Sequence, residues 1–163
     1  MQRPYNVLFL CTGNSARSIM AEAILNHRGM PAFQAFSAGS HASGFVRPGG
    51  LKQIILANMS IEGLRSKNWD EFAKPGAPTM DLIFTVCDNA AKEVCPIWPG
   101  QPITAHWGVP DPALAEGTPE ETDRAYREAF MTLDRRISRL LALPIASLEK
   151  MAIQREVDRI DRQ

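Results

Sequence analysis

The apolar run 6-NVLFL-10 ends on Cys11 and passes straight into 12-TGNSARS-18. The run reads as a buried strand, and the small and turn-forming residues behind it must wrap tightly. Gly13 and Asn14 tolerate positive φ, so the chain can reverse within a few residues. A helix is expected over 18-SIMAEAILNH-27, with Met20, Ala23, Ile24 and His27 on one side. This strand–turn–helix opening constrains everything after it. If the pattern repeats, right-handed crossovers build a mostly parallel sheet with helices on both faces.

The pattern does repeat. Phe33 to Ser37 reads as a second strand closed by Ala38-Gly39, and a Gly/Ser/Pro-rich loop runs from there to Gly50. The stretch 51-LKQIILANM-59 is helical, 64-LRSKNWDEFAKPGAPTM-80 is irregular with a helical turn near Trp69 to Ala73, and 82-LIFTVC-87 is a third strand. A short helix is expected over 88-DNAAKEV-94 and a weak fourth strand near 101-QPITAHW-107, followed by loop to Gly117. In 118-TPEE-121, Thr118 can cap a helix, with Pro119 as its first residue and Glu121 as the capping-box partner. Tyr126, Phe130, Leu133, Ile137, Leu140 and Leu141 then form a buried stripe. The segment 147-SLEKMAIQREVDRIDRQ-163 reads as an appended helix that packs on the core or joins a dimer. One domain over residues 1–163 is expected, with its core at 5–142.

In such sheets ligands bind beyond the carboxyl ends of the strands, where the strand order reverses. Cys11 and Cys87 both end predicted strands. If the first and third strands are neighbours, those ends lie about 5 Å apart, within the span of a disulfide. The three cysteines, Cys11, Cys87 and Cys95, are too few and too oddly numbered for a structural disulfide framework. Their spacing, with no histidine pair nearby, does not suit zinc, so no metal site is expected. With 18 basic and 18 acidic residues the chain carries no net charge. That balance argues against a nucleic-acid partner or a polybasic membrane anchor. No segment resembles a signal peptide or a membrane span, and the expected location is the cytoplasm.

The loop after the first strand suggests chemistry of its own. Backbone N–H groups of Thr12, Gly13, Asn14, Ser15 and Ala16 can point into one concavity at the head of a helix dipole, which suits a tetrahedral oxyanion. Arg17 can add a bidentate fork. The same fields are expected to lower the Cys11 thiol pKa, with Ser18 donating a hydrogen bond to the sulfur. Asp111, in 110-PDP-112, is a candidate general acid, although Asp-Pro alone is only a turn signal. His41 and His106 are candidates for lining the pocket. Trp69, Trp98 and Trp107 read as packing aromatics.

With C-T-G-N-S-x-R-S behind the first strand and an Asp-Pro loop before the last main helix, the chain resembles the low-molecular-weight protein tyrosine phosphatase superfamily. Within it, the likeness is greater to the arsenate reductases built on that fold. The resemblance covers about residues 5 to 142. It implies a three-layer α/β sandwich with a four-stranded parallel sheet in the order 2-1-3-4, here with a C-terminal helix added. The cysteines in 87-CDNAAKEVC-95 fall where such reductases carry their redox pair, and 106-HWGVPDPALAEGT-118 resembles their His-Trp-Gly and Asp-Pro-Ala segment. Phosphatases of this fold usually place Tyr after Asp-Pro, where Ala113 and Leu114 stand here.

The resemblance implies that the Cys11 thiolate attacks arsenate held by residues 11–18 while Asp111 protonates the departing oxygen. Cys87 then attacks Cys11 and expels arsenite, and Cys95 attacks Cys87. No bound cofactor is implied; the external reductant is thioredoxin or, as a lesser alternative, glutaredoxin with glutathione. The two ends of the 88–94 helix stand about 10 Å apart at the α-helical rise, so this segment must move or unwind for the last exchange. Some family members bind potassium beside the loop through Asn, Glu, Ser and Asp. Asn14, Glu22 and Ser37 match, but Lys67 replaces the Asp, which suggests an ammonium in place of the cation. Two other readings stay open: a phosphatase acting on phosphotyrosine or aryl phosphates, and a non-enzymatic oxyanion- or redox-sensing module.

Overall fold

The computed structural model describes residues 3–88 and 98–161. Four parallel strands form the sheet: β1 (Tyr5–Cys11), β2 (Phe33–Gly39), β3 (Leu82–Thr85) and β4 (Ile103–His106). Their order is β2-β1-β3-β4, so β1 and β3 are neighbours. As the resemblance implies, β1 is central, and as the sequence pattern predicts, its apolar run is buried; Val7, Leu8, Phe9 and Leu10 have no exposed surface.

Alternation along β1 splits the core in two. Val7 and Phe9 face the helices α1 (Arg17–Gly29), α2 (Pro48–Leu56) and α3 (Pro119–Leu141). Leu8 and Leu10 face Trp69, Phe72 and Met80, which come from the 3-10 turn Trp69–Phe72 and the loop around it. The first helix begins one residue earlier than expected. Met20, Ala23 and Ile24 are buried in it as the pattern required, but His27 lies at the exposed edge of the stripe. β2 extends through Ala38 and Gly39, because Gly39 pairs with Cys11. A Cβ at Gly39 would sit 2.4 Å from the Thr12 carbonyl oxygen, so only glycine allows the loop after β1 to approach this strand.

α3 starts as the capping signal indicates: the Glu121 amide donates to Thr118 Oγ1 at 3.2 Å, and Pro119 is the first helical residue. The last segment folds as α4 (Lys150–Ile160) after the 3-10 turn Ile145–Ser147. It packs on the core of its own chain, burying Ile153, Val157 and Ile160. The predicted helix over 88–94 lies outside the described residues except for Asp88, and so does Cys95. Among the described residues, no helix is long and apolar enough to cross a membrane.

Candidate active site

Register carries Cys11 and Cys87 to the same end of the sheet. Leu10 pairs with Thr85 across β1 and β3, and the Val86 amide donates to the Leu10 carbonyl at 2.9 Å. Both thiols are buried, and Cys11 and Cys87 are joined by a hydrogen bond. The Thr12 amide donates to Cys87 Sγ at 3.3 Å, so the second cysteine is seated on the first residue of the loop.

The loop itself is held open by its carbonyls. Those of Thr12, Gly13 and Ser15 accept from the amides of His41, Ser43 and Arg47 at 2.9–3.0 Å. With these carbonyls engaged by the chain that follows β2, the Thr12 amide meets Cys87 and the Gly13 amide meets Cys11. Ala16, at the N-cap of α1, supplies no side-chain cap, so the positive end of that helix dipole is available to a ligand. Asn14, with φ of 45°, makes the reversal. Its side chain is fully buried and fully used: Nδ2 donates to Ser18 and Ser37 at 2.8 and 3.0 Å, and Oδ1 accepts from the Lys67 amide at 2.8 Å.

The expectation of a lowered Cys11 pKa is corrected. The thiol is pushed above its ordinary range, first by the hydrogen bond with Cys87 and then by burial; Arg17 and the Gly13 amide act the other way without prevailing. Two touching buried thiols ionise as a pair, and the charge on one keeps the proton on the other. Ser18 Oγ accepts from Asn14 Nδ2, and the Gly13 amide donates to Cys11.

Arg17 is placed less simply than a fork awaiting an anion. Its Nη1 donates to the Val109 carbonyl at 2.9 Å, and its Nη2 lies 3.4 Å from Asp111 Oδ2. It therefore ties the loop that carries Asp111 to the 11–18 loop. Asp111 Oδ1 accepts from the Ala113 amide at 3.0 Å, which fixes the carboxyl at the head of the 3-10 turn Pro112–Leu114.

These groups enclose a cavity of about 200 Å³. It is lined by Thr12, Gly13, Ser15, Ala16 and Arg17 together with Cys11, Cys87 and Asp111. That volume suits a small inorganic anion better than a drug-sized ligand. Two further walls, Ser43 and Arg47, were not singled out from the sequence. Arg47 is bonded through its side chain to the Tyr126 hydroxyl and gives the site a second guanidinium. Its only sequence signal is a position just before Pro48, at the start of a helix. A second cavity, of about 760 Å³, adjoins the first and shares Arg17, Cys87 and Asp111 with it. His106 lines this second cavity, bonded to Thr85 and to Asp88 at 2.7 and 2.9 Å, while His41 is exposed beside Ser40.

Under the loop lies a buried charge pair. Lys67 Nζ donates to the Arg65 carbonyl at 2.8 Å and sits 3.7 Å from Glu22 Oε1 and 3.5 Å from Ser37 Oγ. Burial lowers the Lys67 pKa and raises that of Glu22, and each group partly offsets the shift of the other. A potassium ion bound by Asn14, Glu22 and Ser37 would meet this ammonium, so these residues do not fit the cation. Among the described residues no cluster of three or more His, Cys, Asp or Glu is placed to hold a metal.

Comparison with known proteins agrees with this geometry. Residues 6–157 match the family described as low molecular weight phosphotyrosine protein phosphatase. An arsenate reductase of Halalkalibacterium halodurans is 37% identical over 131 residues, covering 80% of this chain and 91% of that protein. The crystal structure of an arsenate reductase from Archaeoglobus fulgidus superposes with a TM-score of 0.66 at 26% identity, covering 84% of this chain and 99% of that one. A low molecular weight protein tyrosine phosphatase from T. tengcongensis shares the fold, with a TM-score of 0.68 at 24% identity over 88% of this chain and 99% of that one. With its anion loop, its strand order and this match over most of its length, the chain belongs to the low molecular weight phosphotyrosine protein phosphatase family.

Proposed function

We propose that this protein reduces arsenate to arsenite, using Cys11 as nucleophile and Cys87 as the thiol that carries the electrons. The observation that carries this reading is the contact of two cysteines that both line one small cavity. A phosphatase needs only the first thiol. A reductase needs a second one within bonding reach, and the Thr12 amide holds Cys87 there. The relatives that are arsenate reductases support the same assignment.

Arsenate binds with its oxygens on the loop amides and the Arg17 guanidinium. Cys11 sulfur attacks arsenic as its proton passes to an arsenate oxygen; the bond from arsenic to a hydroxyl breaks, and Asp111 gives that hydroxyl the proton with which it departs as water. The raised Cys11 pKa makes this proton transfer part of the attack and not a step before it. Cys87 then attacks Cys11 Sγ; the sulfur–arsenic bond breaks, its electron pair stays on arsenic, and arsenite leaves behind a Cys11–Cys87 disulfide. In the final exchange Cys95 attacks Cys87, Cys11 departs as a thiolate, and the Cys87–Cys95 disulfide is reduced by a dithiol protein of the thioredoxin class. Lys67 serves in place of a bound potassium ion, neutralising Glu22 beneath the loop. Cytoplasmic action is in keeping with thiols that must be re-reduced at every turnover.

The test is arsenate-dependent NADPH oxidation with thioredoxin and thioredoxin reductase, comparing wild type with Cys87→Ser and Cys95→Ser. Both variants should stop turning over arsenate while keeping aryl phosphatase activity. The second reading, phosphotyrosine or aryl phosphate hydrolysis through a Cys11 phosphoenzyme, takes over if wild type shows no arsenate-dependent oxidation with thioredoxin or with glutaredoxin and glutathione.

A further inference from the structure

The loop that carries Asp111 is anchored from an unexpected direction. Its start follows the sheet: the Trp107 amide donates to the Thr85 carbonyl at 2.7 Å and the Val109 amide to Val86 at 3.0 Å. Its outer side is held by residues far along the chain. The Trp107 indole N–H donates to the Val157 carbonyl of α4 at 3.1 Å. Arg136 of α3 donates from Nη1 to the Gly108 carbonyl at 2.8 Å, while its Nη2 lies 3.7 Å from Asp161, just past the end of α4. The Val109 carbonyl then takes Arg17, whose other nitrogen faces Asp111. Residues 107, 108 and 109 are thus each fastened by a different element, and Asp111 follows two residues later.

The packing explains why the loop needs these supports. Trp107 is fully buried, stacked on Phe84 with ring centroids 3.8 Å apart, and an indole N–H in that position requires an acceptor. Gly108 passes so close to the His106–Asp88 pair that a Cβ there would lie 2.9 Å from His106 Nε2. Gly108 has no side chain with which to stabilise this turn. Arg136 is itself mostly buried, with 13% of its side chain exposed, and Asp161 compensates its charge. Arg136 and Asp161 also form one wall of the larger cavity that Cys87 and Asp111 share.

We propose that Arg136 and α4 are a brace for the acid loop, so that Arg136 and Trp107 are positioning residues for the protonation step and the segment beyond Leu143 belongs to the active-site machinery. This rests on the reading of Asp111 as general acid. Removing the brace lets residues 107–111 drift, which separates the carboxyl from the departing oxygen while leaving the anion nest and Cys11 in place. The loss should fall on leaving groups that need a proton and spare those that do not.

The full-length protein is assayed with phenyl phosphate, whose leaving group needs a proton, and dinitrophenyl phosphate, whose leaving group departs as a stable anion. Arg136→Met should lower kcat/KM for phenyl phosphate about tenfold more than for dinitrophenyl phosphate, a fraction of what full loss of an acid costs. Arg136→Lys should recover part of that difference, and Trp107→Phe and Asp161→Asn should shift the ratio in the same direction. Asp111→Asn sets the ceiling. An equal loss on both esters, or no loss, across Arg136→Met, Arg136→Lys and Asp161→Asn overturns the brace. An unselective loss in Asp111→Asn overturns the acid reading instead, and a wild type that hydrolyses neither ester overturns both.

Discussion

Two loops meet over the candidate site, and they are built in opposite ways. The anion loop, residues 11–18, is held mainly by neighbours in β2 and the loop that follows it; its network of Asn14, Ser18 and Ser37 lies within one βαβ unit, with Ser66, Lys67, Cys87 and Val109 as outlying partners. The acid loop, residues 107–111, is held by Arg17 from the start of the chain and by Arg136, Val157 and Asp161 from its far end. The first depends on local geometry and the second on tertiary packing. Binding should therefore be robust to changes in the C-terminal helices, while proton donation should be sensitive to them.

The largest expected effect removes the feature common to every reading. Cys11→Ser should abolish both arsenate turnover and aryl phosphate hydrolysis, while oxyanion affinity, measured by calorimetry with phosphate, persists because the nest is intact. Asp111→Asn comes next. It should lower kcat for arsenate by roughly 10²–10³ with little change in phosphate affinity, as expected for loss of a general acid. A change confined to affinity would place Asp111 with the binding loop and break the contrast.

Stability offers the third comparison. Gly39→Ala puts a methyl group 2.4 Å from a backbone oxygen and should cost about 1–3 kcal/mol in denaturant unfolding while also weakening phosphate binding. Thr118→Ala removes the α3 cap and should cost about 1 kcal/mol with binding unchanged. Similar binding losses in the two variants would contradict the local construction of the anion loop.

The sign of the Cys11 shift makes a pH prediction. Because Cys87 is the first cause of the raised pKa, Cys87→Ala should lower it, and Cys11 alkylation by iodoacetamide should begin at lower pH than in wild type. An unchanged or higher onset would show that burial, and not the neighbouring thiol, sets the value. The smallest effect concerns Lys67: turnover in sodium and potassium buffers should be equal, and strong activation by potassium would displace the ammonium from its assigned place.

The same contrast explains what the sequence could disclose. The strands, the turn after β1 and the α3 cap were readable because each depends on residues close in sequence: Gly39 closes its strand, and Thr118, Pro119 and Glu121 spell their cap, whereas the strand order came from the family resemblance. The nearness of Cys11 and Cys87 followed from one topological step. The raised Cys11 pKa did not, because it comes from burial and from a thiol seventy-six positions away. Arg47 had no pattern to mark it, since its bond to Tyr126 joins distant segments. The acid loop was least legible. Asp-Pro announces a turn, but nothing near it in sequence says that Arg136 and α4 hold that turn.

The central claim is that two touching thiols supply the electrons that reduce arsenic, and a single turnover without any reductant tests it most directly. Cys95→Ser protein is mixed with excess arsenate and quenched by alkylation; arsenite is then quantified and the cysteines are mapped by mass spectrometry. The account predicts one arsenite per protein and a Cys11–Cys87 disulfide. No arsenite, with both thiols recovered alkylated, would contradict it.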